Sequence, residues 1–521
     1  MADEASYPGV YIDESSAGHS IAGVATSITA FLGRAAKGPT DQPVSVFDLA
    51  DFIDHYGALD LNYPMGFAVR DFFANGGSHA VIGRLYKDPP AGNAAAALNA
   101  GSVDAVALVA SSPGDWANNL EAQVKHDGDQ AVATGLGLAP DDLFSLRVRA
   151  QPGGPLEKFL NLTVKDSPRR IDRVLARESA LARIADAGAL LVRPGESVDS
   201  AGNAIWDRVQ PSDIGHAGAP LDIADYAGDR AARTGKYLLE HADLVNVMCV
   251  SANALNDSVP PSVYADILGY CVERRAFLLV DPPSDWTRDS FANRLAEFPF
   301  PGTAARNAAI FYPRPMQANP LRGNQIEPFA VCGAVAGVIA RTDATWGVWK
   351  APAGTHASLA GVAGMAEDLS DAQSGPLNQN GINVIRNFTG IGPVLWGART
   401  MRGGDAYADE YKYIPVRRTA LFIEESLQRG LQWVVLEPND ETLWAQIRLT
   451  AGAFLNGLFR KGAFQGQTPR DANFVKCDSE TTTTGDIANG VVNLVVGFAP
   501  LKPAEFVILQ LHLTAGQKGP P

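Results

Sequence analysis

The sequence predicts a mixed α/β protein with several domains. Its 521 residues correspond to ~3–4 domains of ordinary size. From Pro220 to Phe311, segments of helical and strand-like periodicity alternate, which is typical of parallel strands joined by helical crossovers. Residues 96–219 are instead rich in strand-like runs and loops. These observations predict α/β domains with a β-rich module inserted between them.

The composition is that of a globular protein with a sizeable core. Hydrophobic residues make up 46% of the chain and charged residues 19%. The net charge of −14 argues against a nucleic-acid coat, because phosphate binding needs a concentrated basic surface. The basic pairs Arg169-Arg170, Arg274-Arg275 and Arg417-Arg418 are better explained as solvated or ion-paired faces.

The first residues and the cysteines indicate where the protein folds. Met1 to Ser6 is acidic and polar, unlike a secretory signal. The longest apolar run, Phe329–Ala340, is shorter than the about 20 residues of a bilayer span and predicts a buried helix. Four cysteines in so long a chain do not form a disulfide framework. We therefore expect folding in a reducing, bacterial-type cytoplasm without direct membrane insertion.

Residues 1–26 are predicted to form an arm and a tether. Tyr7–Asp13 alternates like a strand, with Val10 and Ile12 on one face. Ser15–Ala25 is rich in Ser, Ala and Gly, which predicts a flexible connection. The arm is followed by a structured part of the chain that begins at residue 27.

Residues 27–95 are predicted to form a small α/β segment. Strand-like runs at Ile28–Gly33 and His79–Leu85 enclose two helical patterns. Asn75-Gly76-Gly77 is predicted to end the second of these helices.

Residues 96–219 form the predicted β-rich module, and residues 220–355 a second α/β domain. Within the module, Gly195–Pro220 is expected to be a loop-rich surface excursion with few backbone partners. The strands predicted in the α/β domain are Leu244–Val250, Phe277–Val280 and Ala308–Phe311.

Residues 356–504 are predicted to form a C-terminal α/β domain, in which Leu377–Asp440 makes one compact layer. One helix is predicted from Arg417 to Gly430. A second helix is predicted to follow, with Asn439 or Asp440 as its N-cap. That second helix would bury the face containing Leu443, Ile447, Ala451, Phe454 and Leu458. Strands are predicted at Ile382–Arg386, Val394–Trp396, Tyr413–Val416 and Gln432–Leu436.

Residues 505–521 are predicted to form a C-terminal arm strand. One face is polar, and the other is apolar and contains Val507, Leu509, Leu511 and Leu513. An exposed edge strand must be covered or paired. The pattern alone is equally consistent with a strand that completes its own sheet and one that adds to the sheet of a neighbouring subunit.

No catalytic, cofactor or metal site is predicted. The sequence around Gly235-Lys236 departs from a phosphate-binding loop at Arg230 and Tyr237. The cysteines lack metal-ligand spacing, and Cys477 is better explained as a packed strand residue than as a nucleophile. Glu424-Glu425 lies among arginines, which favours ion pairing over acid–base chemistry. A Ser/His/Asp site assembled from distant residues stays open.

Several runs resemble one family in matching order along the chain. They include YPGVYIDE and TAFLGRAAKGP near the start, RTDATWGVWKAPAG in the middle, and INVIRNF, VLWGART, YIPVRR, LEPN and FVKCD towards the end. This set is similar to that of contractile tail sheath proteins, found in phage tails and phage-tail-like injection systems. The resemblance covers both ends and much of the centre, so it is far more specific than any single motif.

The resemblance implies a structural subunit rather than an enzyme. Such subunits stack as six-fold rings around an inner tube, and contraction drives the tube into a target envelope without nucleotide or other cofactor. It implies that the C-terminal domain faces the tube, that the β-rich module lies outside, and that both arms enter neighbours' sheets. The implied partners are further copies of this chain, an inner tube protein, and baseplate and terminal cap proteins. The implied location is the bacterial cytoplasm during assembly, and then a virion tail or injection particle.

Two helices are candidates for the tube contact, Arg417–Gly430 and Glu441–Lys461. The charged residues implicated are Arg417, Arg418, Glu424, Glu425, Arg448, Arg460 and Lys461. The alternative hypothesis is an α/β enzyme, a hydrolase or nucleotide-dependent enzyme with an atypical active site. A size measurement separates the two, because a sheath subunit should form rings, tubes or polymers.

Overall fold

The computed structural model describes residues 20–189, 192–287 and 295–505. The strands are β1 (Thr29–Gly33), β2 (Val44–Val46), β3 (Ala80–Arg84), β4 (Ala97–Ala100), β5 (Val106–Ala110), β6 (Glu121–Lys125), β7 (Phe144–Arg149), β8 (Leu156–Leu162), β9 (Ala182–Ile184), β10 (Asp207–Arg208), β11 (Val247–Val250), β12 (Phe277–Val280), β13 (Ala308–Tyr312), β14 (Pro315–Asn319), β15 (Gln325–Pro328), β16 (Val362–Met365), β17 (Ile382–Phe388), β18 (Gly392–Leu395), β19 (Asn473–Lys476) and β20 (Val495–Phe498). The helices are α1 (Leu49–Tyr56), α2 (Met65–Ala74), α3 (Gln130–Leu136), α4 (Ile171–Glu178), α5 (Ile223–Ala227), α6 (Pro261–Glu273), α7 (Cys332–Trp346), α8 (Asp371–Gln379), α9 (Ile414–Gly430), α10 (Glu441–Arg460), α11 (Pro469–Ala472) and α12 (Thr484–Ala488).

The chain forms two compact units, and each is described by itself. The larger unit contains residues 27–344 and 352–412. The described part of the smaller unit consists of residues 20–26, 345–351 and 413–505. The division near residue 412 differs from the predicted start of the C-terminal domain at residue 356.

The larger unit is organised around a sheet with the strand order β18-β17-β13-β12-β11-β1-β3-β2. Neighbouring strands from β17 to β3 in this order run parallel, and β18 and β2 are antiparallel edge strands. Thr29 of β1 lies opposite Val247 on one side and Ala80 on the other. The predicted alternation of parallel strands with crossovers is therefore confirmed, as is the mixed α/β fold class.

The central strands and one long helix supply the core of the larger unit. Strands β1, β3, β11, β12 and β13 are buried along their whole length. Continuous apolar runs of this kind suit parallel strands that are packed on both faces. Helix α7 contains most of the apolar run Phe329–Ala340, and it is likewise buried over most of its length.

Two glycines allow α7 to touch α2 backbone to backbone. A Cβ placed on Gly333 would lie 2.0 Å from the carbonyl oxygen of Ala68, and one on Gly337 would lie 2.4 Å from that of Phe72. These distances are far below van der Waals contact. Only residues without a side chain fit at these two positions.

The β-rich module has its own core. Its sheets, β10-β6-β7-β8 and β4-β5-β9, are antiparallel. The buried side chains they share include Leu108, Phe144 and Leu146.

The expectation that Gly195–Pro220 has few backbone partners is wrong. The side-chain amide of Asn118 accepts from the backbone N–H of Gly215 at 2.7 Å and donates to its carbonyl at 3.0 Å. The hydroxyl of Tyr86 donates to the carbonyl of His216 at 2.9 Å. These partners are about a hundred residues away in sequence, so the local pattern of the loop does not reveal them.

In the smaller unit, α9 and α10 pack with the hairpin of β19 and β20. The side chain of Asp440 accepts from the backbone N–H of Leu443 at 2.9 Å, so the predicted helix cap is confirmed. Ile423, Leu455 and Leu458 lie in the buried cluster between these elements.

Two predicted strands in this region are wrong. Tyr413–Val416 leads into α9, because Pro415 suits the first helical turn, where its missing N–H needs no partner. Gln432–Leu436 contains a 3-10 turn, Gln432–Val434, and then Leu436 with a φ of 72°.

The prediction that Leu377–Asp440 forms one layer is also wrong. Strand β17 extends the sheet of the larger unit, with Ile382 opposite Ile310 of β13. Helix α9 belongs to the smaller unit instead. Periodicity identifies β17 and β18 as strands but not the sheet that they join.

The arm residues Val10, Ile12, Val507, Leu509, Leu511 and Leu513 lie outside the described residues, as does the tether from Ser15 to His19. Among the helices between residues 20 and 505 that the structure describes, none has both the length and the apolar character needed to cross a bilayer.

Candidate functional site

The segment of residues 20–26 is held along α9 by hydrogen bonds. The backbone N–H of Val24 donates to the hydroxyl of Ser426 at 3.2 Å. The guanidinium of Arg418 donates to the carbonyl of Thr26 at 2.8 Å, and Arg418 itself is buried. This part of the predicted flexible tether is therefore fixed to its own subunit, and Arg418 does not contribute to the exposed surface of α9.

Close packing supports the same segment. Gly23 lies against the ring of Phe422, and a Cβ on Gly23 would approach that ring to 2.8 Å. Ile21 lies against Gly430, where a Cβ would come within 2.6 Å of the Ile21 side chain. Gly23 in the segment and Gly430 at the end of α9 therefore let the segment pack closely against the helix.

The remaining charged residues predicted on α9 form pairs within the helix. Arg417 pairs with Glu424 at 3.3 Å, and Glu425 pairs with Arg429 at 2.7 Å. Most of the helix is buried or half-buried, and Glu424 is among its few exposed residues. Helix α9 therefore offers little free surface to a partner.

Helix α10 presents a longer exposed stripe. Ala445, Leu449, Ala453 and Arg460 follow one another at helical spacing and are exposed, with Leu449 75% accessible. Leu449 does not lie on the apolar face predicted from the sequence. A large apolar residue on the polar side of a helix is a signal that the sequence contains, but Leu449 was not among the predicted contact residues.

The predicted charged residues of α10 differ in their surroundings. Arg448 pairs with Glu441 at 2.6 Å and also donates to the carbonyl of Cys477. Arg460 and Lys461 are exposed, and no acidic side chain pairs with them in the part of the chain that the structure describes. The C-terminal end of α10 therefore presents two cations.

The hairpin of β19 and β20 is a two-stranded sheet with one exposed face. Phe474 lies opposite Gly497, and its ring covers the position that a Cβ on this glycine would occupy. Even so, Phe474 is 52% exposed. Val475 and Val496 pack inward against the core. Within residues 20–505, each strand has one strand neighbour, and a sheet this small gains stability from further strands.

The loop between α9 and α10 exposes two more apolar residues. Val435 is 71% accessible and Leu436 fully accessible. Leu436 also adopts a positive φ, a conformation that branched side chains rarely take. Val435 and Leu436 are neighbours in this loop, and contiguous exposed apolar side chains are typical of contact surfaces.

The cysteines give no sign of nucleophilic chemistry in the described structure. Cys477 follows β19 and is fully buried, and its burial raises the pKa of the thiol. Cys249, Cys271 and Cys332 are buried as well. A raised pKa lowers the fraction of reactive thiolate.

The crevice at the carboxyl ends of the central strands is where α/β enzymes usually bind ligands. Here it holds a cavity of only about 20 Å³, roughly the space of one water molecule. The carboxylate of Asp281, just after β12, accepts from the backbone N–H groups of Val331 at 2.6 Å and Cys332 at 2.8 Å. Asp281 therefore caps α7, and Asp71, another buried carboxylate of the crevice, pairs with Arg70 at 2.7 Å.

A larger open cleft of about 600 Å³ lies beside β3. Its cation, Arg84, is buried and donates to the carbonyls of Ala35, Gly38 and Pro113 at 2.7–2.9 Å. The guanidinium is thus occupied by structural contacts. In the described ranges, no group of three or more His, Cys, Asp and Glu side chains could hold a metal ion.

Two domains of one protein family match this chain. The phage tail sheath protein central domain matches residues 245–401, and the phage tail sheath C-terminal domain matches residues 408–514. Together the two matches cover about half of the chain. The chain belongs to the tail sheath protein family.

Curated relatives match over a limited part of their length. The tail sheath protein of Vibrio phage KVP40 is 29% identical over 178 residues, which are 34% of this chain and 25% of the phage protein. The tail sheath protein of Enterobacteria phage T4 is 24% identical over 182 residues, which are 35% and 26% of the two chains. The chain therefore matches about a quarter of the length of these sheath proteins.

Solved structures of the family share the fold over nearly the whole chain. The sheath of PVC, an extracellular contractile injection system in its contracted state, aligns with a TM-score of 0.56 and 19% identity and covers 98% of both chains. A chain of the contracted baseplate of the anti-feeding prophage aligns with a TM-score of 0.58 and 19% identity, again over 98% of both chains. At this level of identity the likeness concerns the fold.

Proposed function

We propose that the chain is the sheath subunit of a contractile injection machine. It would polymerise as stacked six-fold rings around an inner tube, and its contraction would drive the tube into a target envelope. The observation that carries the proposal is the family membership combined with a fold shared over 98% of a contractile sheath protein. The proposed role is structural, and the carboxylate of Asp281 at the strand ends is engaged in capping α7.

Terminal arms are the proposed links between subunits. The hairpin of β19 and β20 supports this, because it exposes Phe474 and has two strands in the part of the chain that the structure describes. An added strand would satisfy edge backbone groups and cover apolar side chains. The N-terminal arm with Val10 and Ile12 and the C-terminal arm with Val507, Leu509, Leu511 and Leu513 have the alternation that such strands need.

Burial favours α10 over α9 as the tube-facing helix. The stripe around Leu449 is exposed, and it ends at Arg460 and Lys461, two cations that have no acidic partner among the described residues. Other proposed partners are baseplate and terminal cap proteins. Assembly would take place in the bacterial cytoplasm, and the finished product would be a virion tail or a tail-like particle. The β-rich module would face outward.

The first test is the size of the purified full-length chain. We expect rings, tubes or long polymers in electron micrographs and in sedimentation. A monomer or dimer with enzymatic turnover would instead support the α/β enzyme hypothesis.

The inside–outside arrangement can be tested with two cysteine variants, Ser200→Cys and Leu449→Cys. Both positions are exposed, whereas the four native cysteines are buried, so background labelling by a maleimide should be low. In particles assembled with the tube, we expect Ser200→Cys to be labelled as in free subunits and Leu449→Cys to be protected at least about tenfold, as for a solvent-excluded contact. Labelling of Leu449→Cys in particles together with protection of Ser200→Cys would reverse the arrangement.

A further inference from the structure

One end of the four-stranded sheet in the β-rich module is positively charged. Glu121 of β6, Arg149 of β7 and Arg208 of β10 lie side by side, and Arg147 and Lys158 form the next cross-strand pair. Four cations thus share one face of this sheet end with Glu121, in a protein whose net charge is −14. Glu157, opposite Val148, and Asp207, opposite Ala122, lie on the other face. This sheet end is the cationic end.

The carboxylate on the same face as the four cations is already paired. Glu121 is buried and pairs with Arg149 at 2.6 Å and with Arg208 at 2.7 Å. The side chain of Arg208 nevertheless remains 66% exposed. Lys158 is exposed and has no ion pair within the described residues. Arg208 and Lys158 therefore present positive charge to solvent.

The opposite end of the same sheet carries several aspartates beside one lysine, Lys125, the last residue of β6. Residues 127–142 contain four aspartates and no lysine or arginine. Asp142 pairs with Lys165 at 2.7 Å, whereas Asp127, Asp129 and Asp141 are exposed and have no ion pair in the part of the chain described. These three aspartates form the acidic end.

The strand register places the two ends apart. Strand β6 runs from Glu121, opposite Arg149, to Lys125, opposite Ser145, and the acidic stretch begins two residues later. Four residue steps along a strand correspond to ~13 Å. This separation exceeds the screening length of about 8 Å at physiological ionic strength, so the two ends act as separate surfaces of opposite sign.

Two ends of opposite charge favour a contact in which the cationic end of one copy meets the acidic end of another. In stacked rings, where each copy meets the next in the same orientation, such a contact is head-to-tail. Head-to-tail contacts generate rings and helical stacks. Nucleic acid is disfavoured as the partner, because four cations in a strongly acidic protein do not make an extended basic surface.

We propose that the cationic end of one β-rich module docks on the acidic end of the module in a neighbouring subunit. The contact rests on the proposed sheath function and adds to it a charge-dependent link between modules, independent of the terminal arms. Because both ends are exposed to solvent, it should weaken as salt concentration rises.

Charge exchange tests the contact in the full-length chain. Lys158→Glu and Asp141→Lys each place like charges together, and we expect each to raise the concentration needed for polymerisation by about tenfold at low salt. The double variant Lys158→Glu/Asp141→Lys restores opposite charges and should recover assembly. An equimolar mixture of the two single variants should also recover, because alternating subunits then meet only opposite charges.

Controls separate the possible outcomes. Asp41→Lys, an exposed site outside the module, makes the same charge change as Asp141→Lys and should leave assembly unchanged. Unchanged circular dichroism and melting of each variant would show that folding is intact. Loss of assembly in both single variants without recovery in the double variant would overturn the contact, and so would normal assembly of both. A wild-type chain that never polymerises would overturn the sheath function itself.

Discussion

Removal of the chain from Glu505 onward is expected to abolish polymerisation and leave the subunit folded. The deleted segment contains Val507, Leu509, Leu511 and Leu513, and the burial of four such side chains in a neighbour would contribute roughly 1.5–3 kcal/mol each as an upper range. The buried cores of both units lie upstream of the deletion. Sedimentation and electron microscopy measure assembly, and circular dichroism measures folding.

A matched pair of substitutions separates strand pairing from a general effect of truncation. Leu509→Asp with Leu511→Asp places charge on the apolar face and should block assembly as the deletion does. Gln510→Asp with Thr514→Asp adds the same charge to the polar face and should permit it. If the truncated chain polymerised at the wild-type concentration, the C-terminal arm would have no part in subunit contacts.

Gly333→Ala is expected to cause a large loss of folding stability in the larger unit. The new methyl group would lie 2.0 Å from the carbonyl oxygen of Ala68, so α7 and α2 must move apart and lose packing along their interface. Overpacking of a core usually costs about 1–3 kcal/mol, and we expect a value of about 3 kcal/mol or more because the obstacle is backbone. Urea unfolding of the truncated, non-polymerising chain measures it.

Gly269→Ala is the control for this substitution. Gly269 also lies inside a helix, α6, but it is exposed, and a Cβ there meets nothing within 4 Å. Alanine should therefore stabilise the helix by about 0.5–1 kcal/mol. Equal effects at the two positions would show that helix propensity, and not the close contact of α7 with α2, sets the outcome.

The charged residues of the smaller unit show how far sequence could predict the site. Periodicity placed Arg417, Arg418 and Arg460 on two helices correctly. It could not show that Arg418 is buried against the carbonyl of Thr26, because that contact joins residues 392 positions apart. Leu449 was recognisable as an apolar residue on a polar face, but only the burial of its neighbours shows that the stripe is open.

The sequence by itself determined the type of most elements and the family of this protein. Runs such as β1 and α7 are long and uniformly apolar, and Asp440 caps its helix through a contact three residues away, so the causes are local. Only the tertiary structure decided that β17 joins β13 rather than the C-terminal helices, and that the β-rich module has oppositely charged ends. Strand neighbours and the burial of charges depend on contacts between distant parts of the chain, and local periodicity carries no information about them.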